Sequence, residues 1–94
     1  MRRAKKKPSK KWFVYMIECE GNRIYTGIAI DVAARFEKHR AGDGAAFMRI
    51  NKPLRVLAAK KCASRSAALR LEHALKQLTR EGKVEWARRW RVRA

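Results

Sequence analysis

The hydrophobic pattern changes abruptly at Trp12, where a basic segment gives way to aromatic and β-branched residues. Two short apolar runs, at 12–17 and 23–27, flank the polar segment 20–22, a pattern that predicts a β-hairpin. A three-residue loop pairs Cys19 with Arg23 and places Tyr15 and Tyr25 on one face of the hairpin. A two-residue turn at 21–22 places them on opposite faces, and the sequence leaves this register open.

Two helical patterns carry start and stop signals. Asp31 is suited to cap a first helix that ends at Ala41, with Gly42 as a left-handed stop. The longer pattern begins at Ser64 or Ser66, and Gly82 is expected to end it. Its apolar face is predicted to contain Ala67, Leu71, Ala74, Leu75 and Leu78.

A third strand and a terminal helix complete the predicted order, which is β-β-α-β-α-α. The strand follows Pro53, and the helix runs from Lys83 to about Arg91 with Trp86 and Trp90 on one side, where they are expected to pack. We therefore expect an α+β fold, a small three-stranded antiparallel sheet flanked by helices. The predicted organisation is a flexible basic arm at 1–11, a folded domain at 12–82 and a basic C-terminal helix or tail at 83–94.

Composition adds a strong expectation about the partner. The 94 residues suffice for one domain, and 25 Lys and Arg against 8 Asp and Glu give a formal net charge of +17. Such a charge favours a polyanionic partner, with nucleic acid as the leading candidate. No apolar segment is long enough to span a bilayer, so we expect no membrane partner and a cytoplasmic location. Cys19 and Cys62 are expected to be reduced thiols, and their spacing to the histidines does not suit zinc.

Several residues could carry chemistry, although each also has an ordinary structural interpretation. Arg35 and His39 lie four apart on one helix face, which suits a shared ligand or simply a solvated surface. Glu72 lies at the edge of an apolar stripe, where it can pair with Arg70, Lys76 or Arg35, or ligate a divalent ion. The two strand tyrosines can equally be packing residues.

Taken together, these residues resemble the GIY-YIG nuclease superfamily, most closely its short single-domain bacterial members. Phe13-Val14-Tyr15 stands where the family has Gly-Ile-Tyr, and Tyr25-Thr26-Gly27 stands for Tyr-Ile-Gly. Arg35, His39 and Glu72 follow at family-like positions. The resemblance spans residues 12 to about 80.

The resemblance implies metal-dependent hydrolysis of DNA phosphodiester bonds, in DNA repair or recombination. Glu72 would hold a single Mg²⁺ or Mn²⁺ ion, and Arg35 would stabilise the charge of the transition state. Either Tyr15 or Tyr25 would be the general base, with His39 as a proton relay. The sequence does not order the two tyrosines.

The chain departs from the family pattern in three places. Phe13 replaces the first glycine, Thr26 replaces an isoleucine, and no asparagine follows Glu72, where many members have one. Lys76, one turn beyond Glu72, is the residue that could contact phosphate instead. A non-catalytic nucleic-acid-binding protein with a degenerate site is therefore the alternative interpretation.

Sequence-independent phosphate contacts would supply most of the affinity. The resemblance implies DNA as the partner, either branched or single-stranded, with RNA as the alternative, and selectivity is expected for structure rather than sequence. The residues predicted to contact nucleic acid are Lys5, Lys6, Lys7, Lys10, Lys11, Lys76, Arg88 and Arg89. The sequence does not determine the oligomeric state.

Overall fold

A computed structural model describes residues 11–43 and 51–92 of the chain. Its sheet contains β1 (Trp12–Cys19), β2 (Arg23–Ala29) and β3 (Pro53–Cys62), all antiparallel, in the order β2-β1-β3. β1 is central because both of its edges are paired and it carries the longest buried run, with Val14 to Ile17 fully enclosed. The predicted α+β class and three-stranded sheet are confirmed.

The hairpin has the register that brings the two tyrosines to one face. A three-residue 3₁₀ turn, Glu20–Asn22, joins β1 to β2, and both Gly21 (φ 75°) and Asn22 (φ 63°) have left-handed backbone. Cys19 pairs with Arg23, and Tyr15 pairs with Gly27. The three-residue alternative is therefore correct.

Side-chain caps fix the starts of the first two helices. In α1 (Val32–Arg40), Asp31 Oδ1 accepts a hydrogen bond from the Ala34 N–H at 3.0 Å. In α2 (Arg65–Lys76), Ser64 Oγ accepts from the Ala67 N–H at 3.1 Å, so Ser64 is the cap and not Ser66. Gly42 has φ 86° just beyond α1, as predicted for a left-handed stop.

The third helix starts earlier than the sequence predicts. α3 (Arg80–Arg89) begins after Thr79, whose hydroxyl accepts a hydrogen bond from the Gly82 N–H at 3.1 Å. Gly82 therefore belongs to the first turn of α3, and the predicted stop for α2 at this glycine is wrong. The Thr79 cap outweighs the weak helix propensity of glycine at this point. The boundary placed between residues 82 and 83 lies inside α3.

The two faces of the sheet support separate hydrophobic clusters. One contains Tyr15, Ile17, Cys19 and Ala29 and packs against α1. The other contains Val14, Met16, Ala58, Cys62, Ala68, Leu75 and Ala87 and packs against α2 and α3. This division follows the alternation of side chains along β1.

The buried stripe of α2 is rotated relative to the prediction. Ala68 and Leu75 are buried and Leu71 is partly buried against the same cluster, whereas Ala74 is exposed. A spacing of three and then four residues places the buried side chains on one face, and contact with the sheet selects that face. Trp86 on α3 and Trp90 at its C-cap pack against the cluster, in agreement with their predicted packing role.

The cysteines occupy opposite ends of the sheet. Cys19 ends β1, whereas Cys62 pairs with Trp12 at the other end of the same strand. Seven residues of extended chain span roughly 23 Å, which no disulfide can bridge. Within the described residues, no helix has the length and apolar character needed to cross a membrane.

Candidate active site

Tyr15 lies across the backbone of Gly27 on the α1 side of the sheet. A Cβ atom at residue 27 would lie 2.7 Å from the Tyr15 hydroxyl oxygen and 3.0 Å from a ring carbon of Tyr25. Glycine is therefore required here for close approach of the two phenol rings, whose centroids are 6.2 Å apart. Gly27 has no role in the prediction from sequence, although a glycine inside a strand signals such a close approach.

His39 joins the two tyrosines from the last turn of α1. Its Nε2 lies 3.2 Å from the Tyr15 hydroxyl, and its ring meets that of Tyr25 edge to face, with centroids 5.4 Å apart. The imidazole is 2% exposed, and burial, assisted by the charge of Arg35, lowers the pKa of His39. His39 is therefore neutral at pH 7 and can accept a hydrogen bond from Tyr15.

Tyr15 is held in its protonated form. Burial raises the pKa of Tyr15 to about 12, with a smaller contribution from Tyr25, and the charge of Arg35 and its hydrogen bond with Tyr15 act in the opposite direction. The increase in pKa that burial causes is the larger effect, because Tyr15 is completely buried. At neutral pH the Tyr15 hydroxyl is consequently a hydrogen-bond donor, while Tyr25 is partly exposed and Arg35 is exposed to solvent.

Glu72 lies on α2, the helix that packs against the cluster on the other face of the sheet, and it acts on Tyr15 through its charge. Its negative charge contributes to the raised pKa of Tyr15, so the carboxylate acts on the tyrosine from within electrostatic range. The Glu72 side chain is 18% exposed, and its Oε2 lies 3.3 Å from Lys76 Nζ. Of the ion-pair partners that the sequence allowed, the structure selects Lys76.

The donor chemistry fits a divalent ion that is bound largely through water and substrate. Within residues 11–43 and 51–92, no three His, Cys, Asp or Glu side chains cluster to form a closed metal site. Mg²⁺ commonly binds through one or two carboxylates, several waters and substrate phosphates. The partly exposed Glu72 carboxylate meets this requirement once its ion pair with Lys76 is broken.

Of the five residues predicted from the sequence, the structure brings Tyr15, Tyr25, Arg35 and His39 together, whereas Glu72 acts on Tyr15 through its charge and contacts Lys76. Among the residues predicted to contact nucleic acid, Lys11, Lys76, Arg88 and Arg89 are exposed. Lys5, Lys6, Lys7 and Lys10 lie outside the described residues, as does the rest of the predicted arm before Lys11.

Comparison with known proteins identifies the same family as the motif residues. The model of the GIY-YIG catalytic domain matches residues 11–85. A UPF0213 protein of Cupriavidus pinatubonensis is 47% identical over 75 residues, which cover 80% of this chain and 83% of that protein. The UPF0213 protein YhbQ of Salmonella typhimurium is 42% identical over 72 residues, covering 77% of this chain and 72% of that one.

A solved structure is similar as well. The solution NMR structure of the UPF0213 protein BH0048 from Bacillus halodurans is 36% identical, covers 81% of each chain and superimposes with a TM-score of 0.51. The fold and the ordered motif residues therefore agree with the family comparison.

Proposed function

This chain belongs to the GIY-YIG family, and we propose that it is a metal-dependent endonuclease that hydrolyses DNA phosphodiester bonds. The observation that carries the proposal is the cluster of Tyr15, Tyr25 and His39, in which His39 Nε2 lies 3.2 Å from the buried Tyr15 hydroxyl. Arg35 lowers and Glu72 raises the pKa of Tyr15, so the charges of a guanidinium suited to phosphate and of a carboxylate suited to a metal ion both act on this hydroxyl.

The different environments of the tyrosines suggest different roles. Tyr15 is buried and protonated at neutral pH, and its hydroxyl forms a hydrogen bond with His39, which makes it a positioning residue. Tyr25 is partly exposed and packs against Tyr15 and His39, so it is the phenol that contacts the substrate. We assign Tyr25 to the general base that accepts a proton from the attacking water.

The reaction balances with these groups. The water oxygen forms the new bond to phosphorus, its proton passes to Tyr25 in the phenolate form, and the bond between phosphorus and the leaving oxygen breaks. The leaving oxygen takes up a proton from solvent, and Tyr25 returns its proton to solvent. Arg35 binds the nonbridging oxygens as charge develops on them, a role that favours a planar, permanently charged guanidinium. A divalent ion held by Glu72 would neutralise part of the same charge.

We further propose selection by nucleic-acid structure rather than base sequence, in DNA repair or recombination in the bacterial cytoplasm. The formal net charge of +17 supports contacts with phosphates, which carry no sequence information. Exposed Lys76, Arg88 and Arg89 are candidates for these contacts, in addition to the basic residues before Trp12. A bent, branched or single-stranded substrate is consistent with this mode of binding.

The test is cleavage of supercoiled, branched and single-stranded DNA with Mg²⁺, with Mn²⁺ or with a chelator. We expect metal-dependent cutting by the native protein, and its loss in Glu72→Ala with binding largely retained. Glu81→Ala is the matched control, because Glu81 is an exposed glutamate in the first turn of α3. It removes the same charge and should leave cutting unchanged.

Two outcomes would refute the assignment. Cutting by Glu72→Ala at the native rate and with the native metal response excludes a metal role for this residue. Tight, salt-sensitive binding without cutting on any substrate would instead identify a non-catalytic nucleic-acid-binding protein. The ion pair between Glu72 and Lys76 favours this second candidate, because it occupies the carboxylate.

A further inference from the structure

A second basic site lies between α3 and the sheet, away from the tyrosines. A cleft of about 250 Å³ is lined by four arginines, together with Glu18 and apolar residues of β2, β3 and α3. The arginines are Arg55, Arg80, Arg88 and Arg91. Four positive charges and one negative charge give the lining a net charge of +3.

Half of this positive charge has no carboxylate partner among the described residues. Glu18 Oε1 accepts a hydrogen bond from Arg55 Nε at 2.7 Å, and Arg88 Nη1 lies 3.5 Å from Glu85 Oε1, so two arginines are paired and Arg80 and Arg91 are not. Arg80 is held instead by neutral groups, because it donates to the Asn22 main-chain oxygen at 2.8 Å and to Asn22 Oδ1 at 2.7 Å. These two bonds order the guanidinium without cancelling its charge.

Main-chain contacts hold Arg91 at the cleft. Just beyond α3, the Trp90 carbonyl accepts from the Ala59 N–H at 3.1 Å, and the Val92 N–H donates to the Leu57 carbonyl at 3.0 Å. This bridge fixes the backbone on either side of Arg91. Its side chain forms no hydrogen bond or ion pair with the described part of the chain and is available to an anion.

The cleft and the tyrosine site lie on opposite faces of the sheet. Tyr15 and Tyr25 project towards α1. Glu18 and Ile24 lie in the same two strands, but their side chains point to the other face, towards α3, where they line the cleft. A nucleic acid that contacts both sites must therefore turn around the edge of the sheet. Duplex DNA has a persistence length of about 150 base pairs and resists such a turn, whereas a single strand does not.

We propose that the arginine cleft binds a backbone phosphate of single-stranded nucleic acid, at a position displaced from the bond that is cut. The inference rests on the proposed nuclease function for the identity of the polyanion. Guanidinium groups suit phosphate because they donate paired hydrogen bonds in one plane. The cleft thus selects a single strand, or a single-stranded segment beside a duplex, as the substrate class.

The experiment measures DNA binding against salt concentration, using Glu72→Ala as the non-cutting background. Two fluorescent probes are compared by anisotropy, a single strand of about 30 nucleotides and a duplex of about 15 base pairs. We expect Arg91→Ala to weaken single-strand binding several-fold and to reduce the magnitude of the salt slope by about 0.7, the value for one phosphate contact. Duplex binding should not change, and Arg91→Lys should keep the native slope.

Arg70→Ala is the matched control. Arg70 is an exposed arginine on α2, outside the cleft, that donates to Ser66 Oγ, and its loss should leave both slopes unchanged. An unchanged salt dependence of single-strand binding in Arg91→Ala would overturn the proposal. An equal loss of affinity for the single strand and the duplex would overturn it as well. Competition by an oligoglutamate as effective as that by single-stranded DNA would assign the cleft to acidic peptides instead.

Cutting is scored separately with proteins that retain Glu72. Absence of metal-dependent cutting by the native protein would refute the proposed function while leaving the slope measurement valid. Normal cutting with an unchanged slope in Arg91→Ala would refute only the cleft. The two failures are therefore distinguishable.

Discussion

Replacing Gly27 with alanine should disturb the candidate active site more than the addition of one methyl group at any other described glycine. The added Cβ would lie 2.7 Å from the Tyr15 hydroxyl oxygen, 2.8 Å from the ring carbon that carries it and 3.0 Å from Tyr25 Cε2. Tyr15 cannot swing aside easily, because it is fully buried and its hydroxyl contacts His39. Relief of the clash therefore requires movement of both rings.

The expected cost follows from two opposing contributions. Overpacking of this kind destabilises by about 1–3 kcal/mol, whereas alanine is better than glycine in a strand by about 0.5–1 kcal/mol. We expect a net loss of about 1–2 kcal/mol in the free energy of unfolding, and a fall in Tm of roughly 5–15 °C for a domain of this size. Cleavage should fall at least about 100-fold, because a shift of about 1 Å in reacting groups has an effect of this size.

Urea unfolding followed by tryptophan fluorescence measures the stability. Gly42→Ala is the control, since Gly42 has φ 86° and a Cβ there would meet no described atom within 4 Å. It should lose about 1–2 kcal/mol through backbone strain alone and should keep full cleavage. In a Tyr15→Phe background, which removes the nearest atom, the penalty of Gly27→Ala should shrink. Native stability and native cleavage in Gly27→Ala would refute the packing argument.

Three further predictions concern the other site residues. Tyr25→Phe should reduce cleavage by about 10²–10⁴-fold and Tyr15→Phe by less; the reverse order in single-turnover rates would exchange their roles. Burial lowers the pKa of His39 below 6.5, so as the pH falls the imidazole is protonated in the unfolded chain before it is protonated in the folded one. The free energy of unfolding should therefore decrease from about pH 7 to pH 5. In urea titrations, His39→Gln should flatten this decrease. Lys76→Met should lower the Mg²⁺ concentration for half-maximal cleavage several-fold, because Lys76 competes for Glu72; an unchanged metal titration would contradict that competition.

The sequence was most informative where local chemistry determines structure. Side-chain caps at Asp31 and Ser64, and the left-handed stop at Gly42, define helix ends through hydrogen bonds within a few residues. The hairpin was predicted with two possible registers, and the observed pairing of Cys19 with Arg23 decides between them. That choice placed both tyrosines on the α1 side.

Long-range packing accounts for what the sequence did not predict. The buried face of α2 depends on which side meets the sheet, and a pattern rich in alanine does not distinguish Ala68 from Ala74. The site residues were selected through the family resemblance, but the burial that separates Tyr15 from Tyr25 arises from residues far apart in the chain. Arg80 in the cleft was likewise not predicted, because its partner Asn22 is 58 residues away.

The short turn at Glu20–Asn22 has a consequence for how the protein tolerates insertions and deletions. Successive residues of β1 alternate between the tyrosine site and the larger hydrophobic cluster, so a change of one residue in loop length would shift the strand pairing by one position. Catalytic geometry and thermodynamic stability would then be lost together. Evolution can therefore vary the side chains of this turn more freely than its length.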